Sequence, residues 1–241
     1  MQLSGKTILV TGGTDGIGRE LALQLKGKGA AIIVTGRSAE RLAAMQAAGC
    51  DALSADLSNE AGVRALVDAV SGRVIDILIN NAGCGSDHDF RDEEPIDSDD
   101  NDRCIYLNLN APIRLTTALM PMLKARPEAM LVNVTSGLAL APRAGGPVYC
   151  ATKAGLRSYT QAIRAQLAGT KVHVVEALPP VVDTQLTAGR ESKKMSAAEC
   201  ARQIISAMER NTKEANVGLV KILQMANSIS PALARKIMLR S

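Results

Sequence analysis

In the stretch GGPVYCATKAG, residues 145–155, Tyr149 and Lys153 stand four positions apart. On a helix that spacing puts both side chains on one face. A free phenol titrates at about 10 and moves protons poorly at neutral pH. A lysine ammonium beside it favours the phenolate and turns it into a usable acid and base. Tyrosine is scarce here, three in 241 residues with one Phe and no Trp, so its place beside Lys153 carries weight. The plainer alternative is a packed tyrosine and a surface lysine. Ser136, thirteen residues before Tyr149, closes an apolar run and is placed to hydrogen-bond the same substrate oxygen. Each of the three alone is more often structural. Together, at the mouth of a nucleotide fold, they form a proton-transfer group.

That fold is announced by TGGTDGIG, residues 11–18, which holds Gly12, Thr14, Asp15, Gly16, Ile17 and Gly18 directly after the apolar run KTILV. Glycines there permit a tight turn and let backbone approach a diphosphate seated on a helix N-terminus. A three-glycine turn alone is a weak signal. Opening a helix after a first strand, it favours nucleotide binding over a structural turn. Arg37, in GRS at 36–38, ends the next apolar run, where a dinucleotide's ribose would lie. An acid at that point holds two ribose hydroxyls, whereas an arginine suits a 2′-phosphate; a solvated arginine is a fair competitor. Asp56 and Leu57 close a third run and suit the adenine edge, with helix capping by Asp56 equally open. In NNAG, 80–83, Asn81, Ala82 and Gly83 serve both as an asparagine-stabilised turn and as a floor under a cofactor.

These residues need a frame that gathers them. Unbroken apolar runs (KTILVTG, AAIIVTG, VIDILINNAG, AMLVNVTSG, KVHVVEALPP) alternate with amphipathic stretches, including a long helical region over about 99–125. That alternation implies an α/β fold: a doubly wound parallel sheet with crossover helices on both faces, in a single domain over 1–241. Ligands of such sheets bind beyond the carboxyl ends of the strands, where all the residues above fall. Ser196 and Glu199 form a capping box, and Ser230-Pro231 opens a last helix within 225–241. NVGLVKIL, 216–223, is the candidate final strand. Met225, Ile229, Leu233 and Ile237 share one face of the C-terminal helix; core packing is the preferred reading, a partner or membrane-surface contact the lesser one.

Composition excludes other classes. Net charge is +4, yet nine acids and two arginines crowd 85–103, read as a solvated acidic loop, so the rest carries about +11 by difference. No basic cluster interleaved with aromatics appears, so no nucleic-acid partner is expected. The apolar run before the first glycines is too short for a signal peptide or an integral membrane span. Five scattered cysteines without a C-x-x-C pair imply reduced thiols and a cytoplasmic location. Two distant histidines give no metal site.

Order and spacing across almost the whole chain resemble the single-domain short-chain dehydrogenases/reductases, most like a bacterial branch labelled DltE-like. The matching positions are T-G-x-x-x-G-x-G at 11–18, N-N-A-G at 80–83, Asn108 in LNLNAP, Ser136, Y-x-x-x-K at 149–153, and PPVVDT at 179–184. The resemblance implies Tyr149 as general acid/base, Ser136 polarising a carbonyl, and Lys153 binding the nicotinamide ribose while lowering the tyrosine pKa. It implies Asn108 as the next member of a proton relay, with Asn110 a nearby rival. Pro179, Val182 and Thr184 then belong to the cofactor site, Val182 and Thr184 at the carboxamide. Two departures stand out: Pro179-Pro180 replaces the family's Pro-Gly, and the family's glycine-rich C-terminal strand is missing.

The expected activity is hydride transfer between NADP(H), with NAD(H) possible, and a carbonyl or secondary alcohol. A non-catalytic nucleotide sensor on the same fold is the alternative. A substrate lid is expected over 184–195. The resemblance also implies that the Asn108 and Tyr149 helices pair with their copies across a two-fold axis, with Leu156, Ile163 and Ala162 supplying the face. With the usual C-terminal strand missing there is less reason to complete a tetramer, so a homodimer is expected.

Overall fold

The computed structural model describes residues 1–93, 96–189 and 194–240. Its frame follows from the apolar runs: with no polar side to turn to water, they must lie inside a sheet covered on both faces. They form β1 (Thr7–Val10), β2 (Ala31–Gly36), β3 (Asp51–Ser54), β4 (Ile77–Asn80), β5 (Ala129–Val134) and β6 (Val172–Leu178), all parallel. The pairs β7 (Val182–Asp183) and β8 (Met195–Ser196) make a small separate sheet, while β9 (Glu214–Asn216) joins the main one. The seven-stranded order is β3-β2-β1-β4-β5-β6-β9. Going out from β1 to β3 and back through β4 reverses direction, which opens a crevice above β1 and β4.

Helices α1 (Gly16–Gly27) and α7 (Ala197–Glu209) cover one face, and α3 (Glu60–Val70), α5 (Ala111–Lys124) and α6 (Pro147–Gln166) the other; α2 (Ala39–Ala47) follows β2. Alternate residues of each strand feed the two cores. Ile8, Val10, Ile77 and Ile79 pack with Leu21, Leu25, Ile204 and Met208 on one side. Leu9, Leu78 and Leu131 pack with Leu66, Leu115, Leu119 and Ile163 on the other. Each such fully buried side chain stabilises the fold by about 1.5–3 kcal/mol.

Where strands leave these cores, polar side chains lock their ends. Asn80 Nδ2 donates to Asn133 Oδ1 (2.9 Å), and Asn133 Nδ2 to Thr160 Oγ1 (2.9 Å), joining β4, β5 and α6. Arg157 of α6 holds Glu176 Oε2 at 2.6 Å and Glu214 Oε1 at 3.0 Å, so one guanidinium ties α6 to β6 and β9.

Several expectations need correction. The acidic segment is not loop throughout: Ser98–Ile105 is helix α4. Asp97 caps it by accepting from Asp99 N and Asp100 N, and its first-turn acids face the positive helix end. The sheet does gain a C-terminal strand, but it is Glu214–Asn216; Gly218, at φ +54°, turns the chain, and Val220–Ile229 is helix α8. Ser230 breaks the C-terminal helix and caps α9 (Pro231–Met238). Ser196 Oγ accepts from Glu199 N, while the Glu199 carboxylate turns away to Arg202 and Gln203, so only half of the capping box forms. Met225, Ile229, Leu233 and Ile237 are not core residues: they remain exposed, Ile229 by 84%. Leu156 and Ile163 are buried in their own chain and supply no outer face. Residues 190–193 of the expected lid, with Arg190 and Lys193, lie outside the described residues.

Candidate active site

The glycine turn leaves its backbone bare by necessity. Gly12 (φ +61°) and Gly16 (φ +51°) occupy the left-handed region that glycine alone adopts at no cost. A Cβ on Gly12 would stand 2.9 Å from Ala82 Cα, and one on Gly18 would stand 2.2 Å from Gly12 O. Thr11 clamps the floor beneath: its hydroxyl accepts from Asn81 N (3.0 Å) and Ala82 N (3.1 Å), and Asn81 Nδ2 donates to Thr11 O and Gly12 O. Side chains cap α2, α3, α7 and α9, but Asp15 makes no such bond at the start of α1, so that helix end keeps its N–H groups for a ligand.

At the ends of β2 and β3 the charges pair off. Arg41 Nη1 holds Asp15 Oδ2 at 3.0 Å, which offsets the one acid beside the turn. Arg37 is exposed, with Asp56 Oδ1 4.0 Å away. Asp56 also accepts from Ser58 N, as a turn-forming residue would, and Leu57 is buried beside it. Thr35, which the sequence did not single out, accepts from Gly12 N through Oγ1 at 3.3 Å; a polar residue inside an apolar run was its only signal.

Beyond β4, Gly83 brings the chain against Asn108 and Lys153: a Cβ there would be 2.9 Å from Asn108 Oδ1 and 3.6 Å from Lys153 Nζ. Asn108 lies in a π-helical turn, 106–110, between α4 and α5, a distortion found at functional sites. It is fully buried; Oδ1 accepts from Cys84 N (3.0 Å), and Nδ2 donates to Cys84 O (2.9 Å) and Thr152 Oγ1 (3.2 Å). Asn110 faces solvent instead. On α6, Lys153 Nζ lies 5.7 Å from the Tyr149 ring centroid and donates to Val134 O at 3.0 Å. Burial lowers its pKa to about 8. Ser136, buried at the end of β5, accepts from Leu138 N at 3.1 Å. Thr184 Cγ2 packs where a Gly16 Cβ would be, whereas the Val182 side chain turns into the core.

A cleft of ≈ 690 Å³ runs over these parts, lined from Gly12–Gly18 past Arg37, Asp56 and Asn81–Cys84 to Tyr149, Lys153, Pro179 and Thr184. Asn108, Ser136 and Val182 stand behind or beside it. The bare glycine cradle, the uncapped α1 and the basic end of β2 fit a dinucleotide phosphate group.

A family model described as short chain dehydrogenase matches residues 6–195. The chain belongs to that family. Among its relatives is the oxidoreductase DltE of Bacillus subtilis, 39% identical over 80% of this chain and 78% of that protein. Among solved structures, a short chain dehydrogenase from Burkholderia cenocepacia in complex with NADP superposes with a TM-score of 0.87 at 25% identity, covering 99% of both chains. Another, from Burkholderia phymatum in complex with NAD, gives 0.81 at 21% identity over 95% of this chain and 96% of that one. The latter likeness is one of fold alone. Within the family frame, the residues gathered along the cleft come from the ends of β1, β2, β3 and β4 and from α6, as a doubly wound sheet requires.

Proposed function

We propose that this short-chain dehydrogenase interconverts a carbonyl and a secondary alcohol with NADP(H) as the preferred cofactor, Tyr149 being its acid and base. The observation that carries the reading is the buried Lys153 ammonium facing the Tyr149 ring at the cofactor cleft. A buried cation costs desolvation, which the single hydrogen bond to Val134 O offsets only in part. An adjacent phenolate gives it a purpose.

Gly12, Thr14, Gly16, Ile17 and Gly18 would hold the diphosphate, Asp56 and Leu57 the adenine edge, and Asn81 to Gly83 the floor. Lys153 would hold the nicotinamide ribose and Pro179, Val182 and Thr184 the carboxamide end, Val182 through its backbone since its side chain is committed to the core. The cofactor supplies or accepts the hydride. On the protein side, Ser136 already accepts from Leu138 N, which leaves its O–H to donate to the substrate oxygen. Tyr149 gives that oxygen a proton in reduction and takes one in oxidation; Lys153 stabilises the phenolate in between. Asn108 fixes the Gly83–Cys84 backbone against which Lys153 lies and is the proposed next member of the proton path.

NADP(H) is favoured because the neighbours were solved with either cofactor, so the choice falls to the end of β2. No acid stands at Gly36, Arg37 offers a planar fork, and Asp15 is already paired with Arg41. A sensor without catalysis would have no use for Tyr149, Lys153, Ser136 and Asn108 all together. A cytoplasmic location, supported by five cysteines that stand in no disulfide, and a homodimer through α6 complete the proposal.

Two measurements test it. Fluorescence titration should show NADPH binding more tightly than NADH, with Arg37→Ala removing about ten- to a hundredfold of that difference, the scale of one charge-assisted contact. Turnover of NADPH with a panel of simple carbonyls should fall about a hundredfold or more in Tyr149→Phe with cofactor affinity kept. Equal affinity for NADH, or near wild-type turnover in Tyr149→Phe, refutes the corresponding half.

A further inference from the structure

Two thiols beside this site have no part in the chemistry above. Cys84 follows the NNAG turn and lines the cleft; Cys104 is fully buried on α4. Though twenty residues apart, they are in contact: Cys104 donates its S–H to the Cys84 carbonyl oxygen at 3.6 Å. Asn108 stands between them, with Nδ2 2.9 Å from that carbonyl and 3.2 Å from Cys104 Sγ. Cys50, Cys150 and Cys200 are buried elsewhere.

We propose that Cys84 and Cys104 are an oxidative modification site, closing to a disulfide under peroxide and switching the neighbouring active site off. The geometry assigns separate tasks to the two sulfurs. Cys84 is reachable from the cleft. The neighbouring Cys104 thiol holds the Cys84 thiol below the usual range, with the Arg103 and Lys153 cations assisting against burial and the Asp100 carboxylate. Cys104, fully buried and set against Cys84, is held high and stays a thiol. The Cys84 thiolate therefore attacks the peroxide. Its sulfur bonds to one oxygen, the O–O bond breaks, and the leaving oxygen departs as water or alcohol after taking a proton. Cys84 is now a sulfenic acid, oxidised by two electrons, and the peroxide is reduced by two. Cys104 sulfur then attacks Cys84 sulfur; the S–O bond breaks, and the hydroxide leaves as water with the Cys104 proton.

Closing the bond draws the sulfurs to about 2.05 Å. Cys104 Sγ must leave Asn108 Nδ2, and the Cys84 backbone that Asn108 grips at both N–H and C=O must turn with it. Gly83, the preceding residue, with Asn108 and Lys153 on the side where a Cβ would stand, moves too. The effect on turnover rests on reading this cleft as the active site; the cross-link itself does not.

The test uses the whole reduced protein treated with hydrogen peroxide, alkylated and digested with trypsin. The expected product is a linked pair of peptides, 74–91 carrying Cys84 and 104–114 carrying Cys104. With it, turnover should fall by about a hundredfold, the scale of a misplacement of about 1 Å in a catalytic group, and dithiothreitol should restore it. Cys104→Ser should form no linked pair and, against its own reduced state, should escape the reversible loss. If no linked pair forms while Cys84 is consumed, or if it forms and neither turnover nor NADPH affinity changes, the proposal falls. A linked pair in a protein inactive even when reduced would instead refute the reading of the site and leave the dithiol standing.

Discussion

Lys153 is the residue on which most of the site turns, and its burial makes a prediction that activity alone does not. Its pKa is lowered to about 8 by burial, against about 10.4 for a free lysine. Between those values the unfolded chain binds a proton that the folded one does not, so this group's contribution to stability rises with pH. The desolvation cost is fully present below 8 and is relieved as pH climbs through 8 to 10. The stability difference between wild type and Lys153→Met, from urea unfolding of the cofactor-free protein, should therefore shift toward wild type over that window. A pH-independent difference would mean that Lys153 is not charged and buried. Tyr149, Lys153 and the NNAG turn were legible in the sequence because few other tasks use those types at those spacings. Asn108 was not separable from Asn110 there, since both fall in one helical run; the π-turn decides, burying one and exposing the other. The Cys84–Cys104 contact had no sequence signal, because twenty intervening residues and a helix bring the two together.

Among the elements, α6 is tied to β6 and β9 through the Arg157 guanidinium, with Arg164 adding bonds to Val174 O and Lys213 O. Glu176 is fully buried, and burial raises its pKa despite Arg157 at 2.6 Å and the Thr135 hydroxyl at 2.8 Å. Thr135 precedes Ser136, so the same pair steadies the end of β5. Arg157→Ala leaves a buried carboxylate alone and should destabilise the protein by about 3–5 kcal/mol. With a shift of about 2–4 °C per kcal/mol for a chain of this size, thermal melting reads it directly. A carboxyl with a raised folded pKa loses its contribution as pH rises, so the deficit should shrink toward acid pH. Arg157→Met with Glu176→Gln should recover much of it; an Arg157→Ala melt within a degree of wild type would show the pair to be ornamental. The apolar runs made β1, β2, β4, β5 and β6 readable. Strand β9 was not readable, since Glu-Ala-Asn is no strand former; it exists because Arg157 and the register Glu176↔Glu214 hold it. NVGLVKIL looked like a strand by its apolar residues, yet Gly218 turns the chain and α8 packs by Val220 and Leu223 over Gly137, with Ile222 and Met225 outward.

For the molecule as a whole, these corrections change the grounds for assembly. A stop at the dimer no longer follows from a missing final strand, because β9 is present, and Leu156 and Ile163 point inward. What α6 shows outward is Ala151, Ala154, Ser158, Gln161, Ala162, Ala165 and Gln166. Small residues at three- and four-residue steps let two copies of a helix approach closely about a two-fold axis, where each residue meets its counterpart or near neighbour. The exposed face of α8 and α9 is a poorer self-partner: Lys221, Arg235, Lys236 and Arg240 accompany it, and no acid occurs among residues 215–240. A two-fold contact there would set like charges together, at a cost in affinity and on-rate. Light scattering at micromolar concentration should therefore give a dimer. Ala154→Arg with Ala162→Arg should give a monomer of unchanged circular dichroism, because both positions are exposed within the chain. Ile229→Asp should leave the dimer intact and shift thermal stability by no more than about 0.5 kcal/mol, as an exposed position allows. A monomeric wild type, or a dimer that Ile229→Asp dissociates while the α6 double variant does not, would move the interface away from α6.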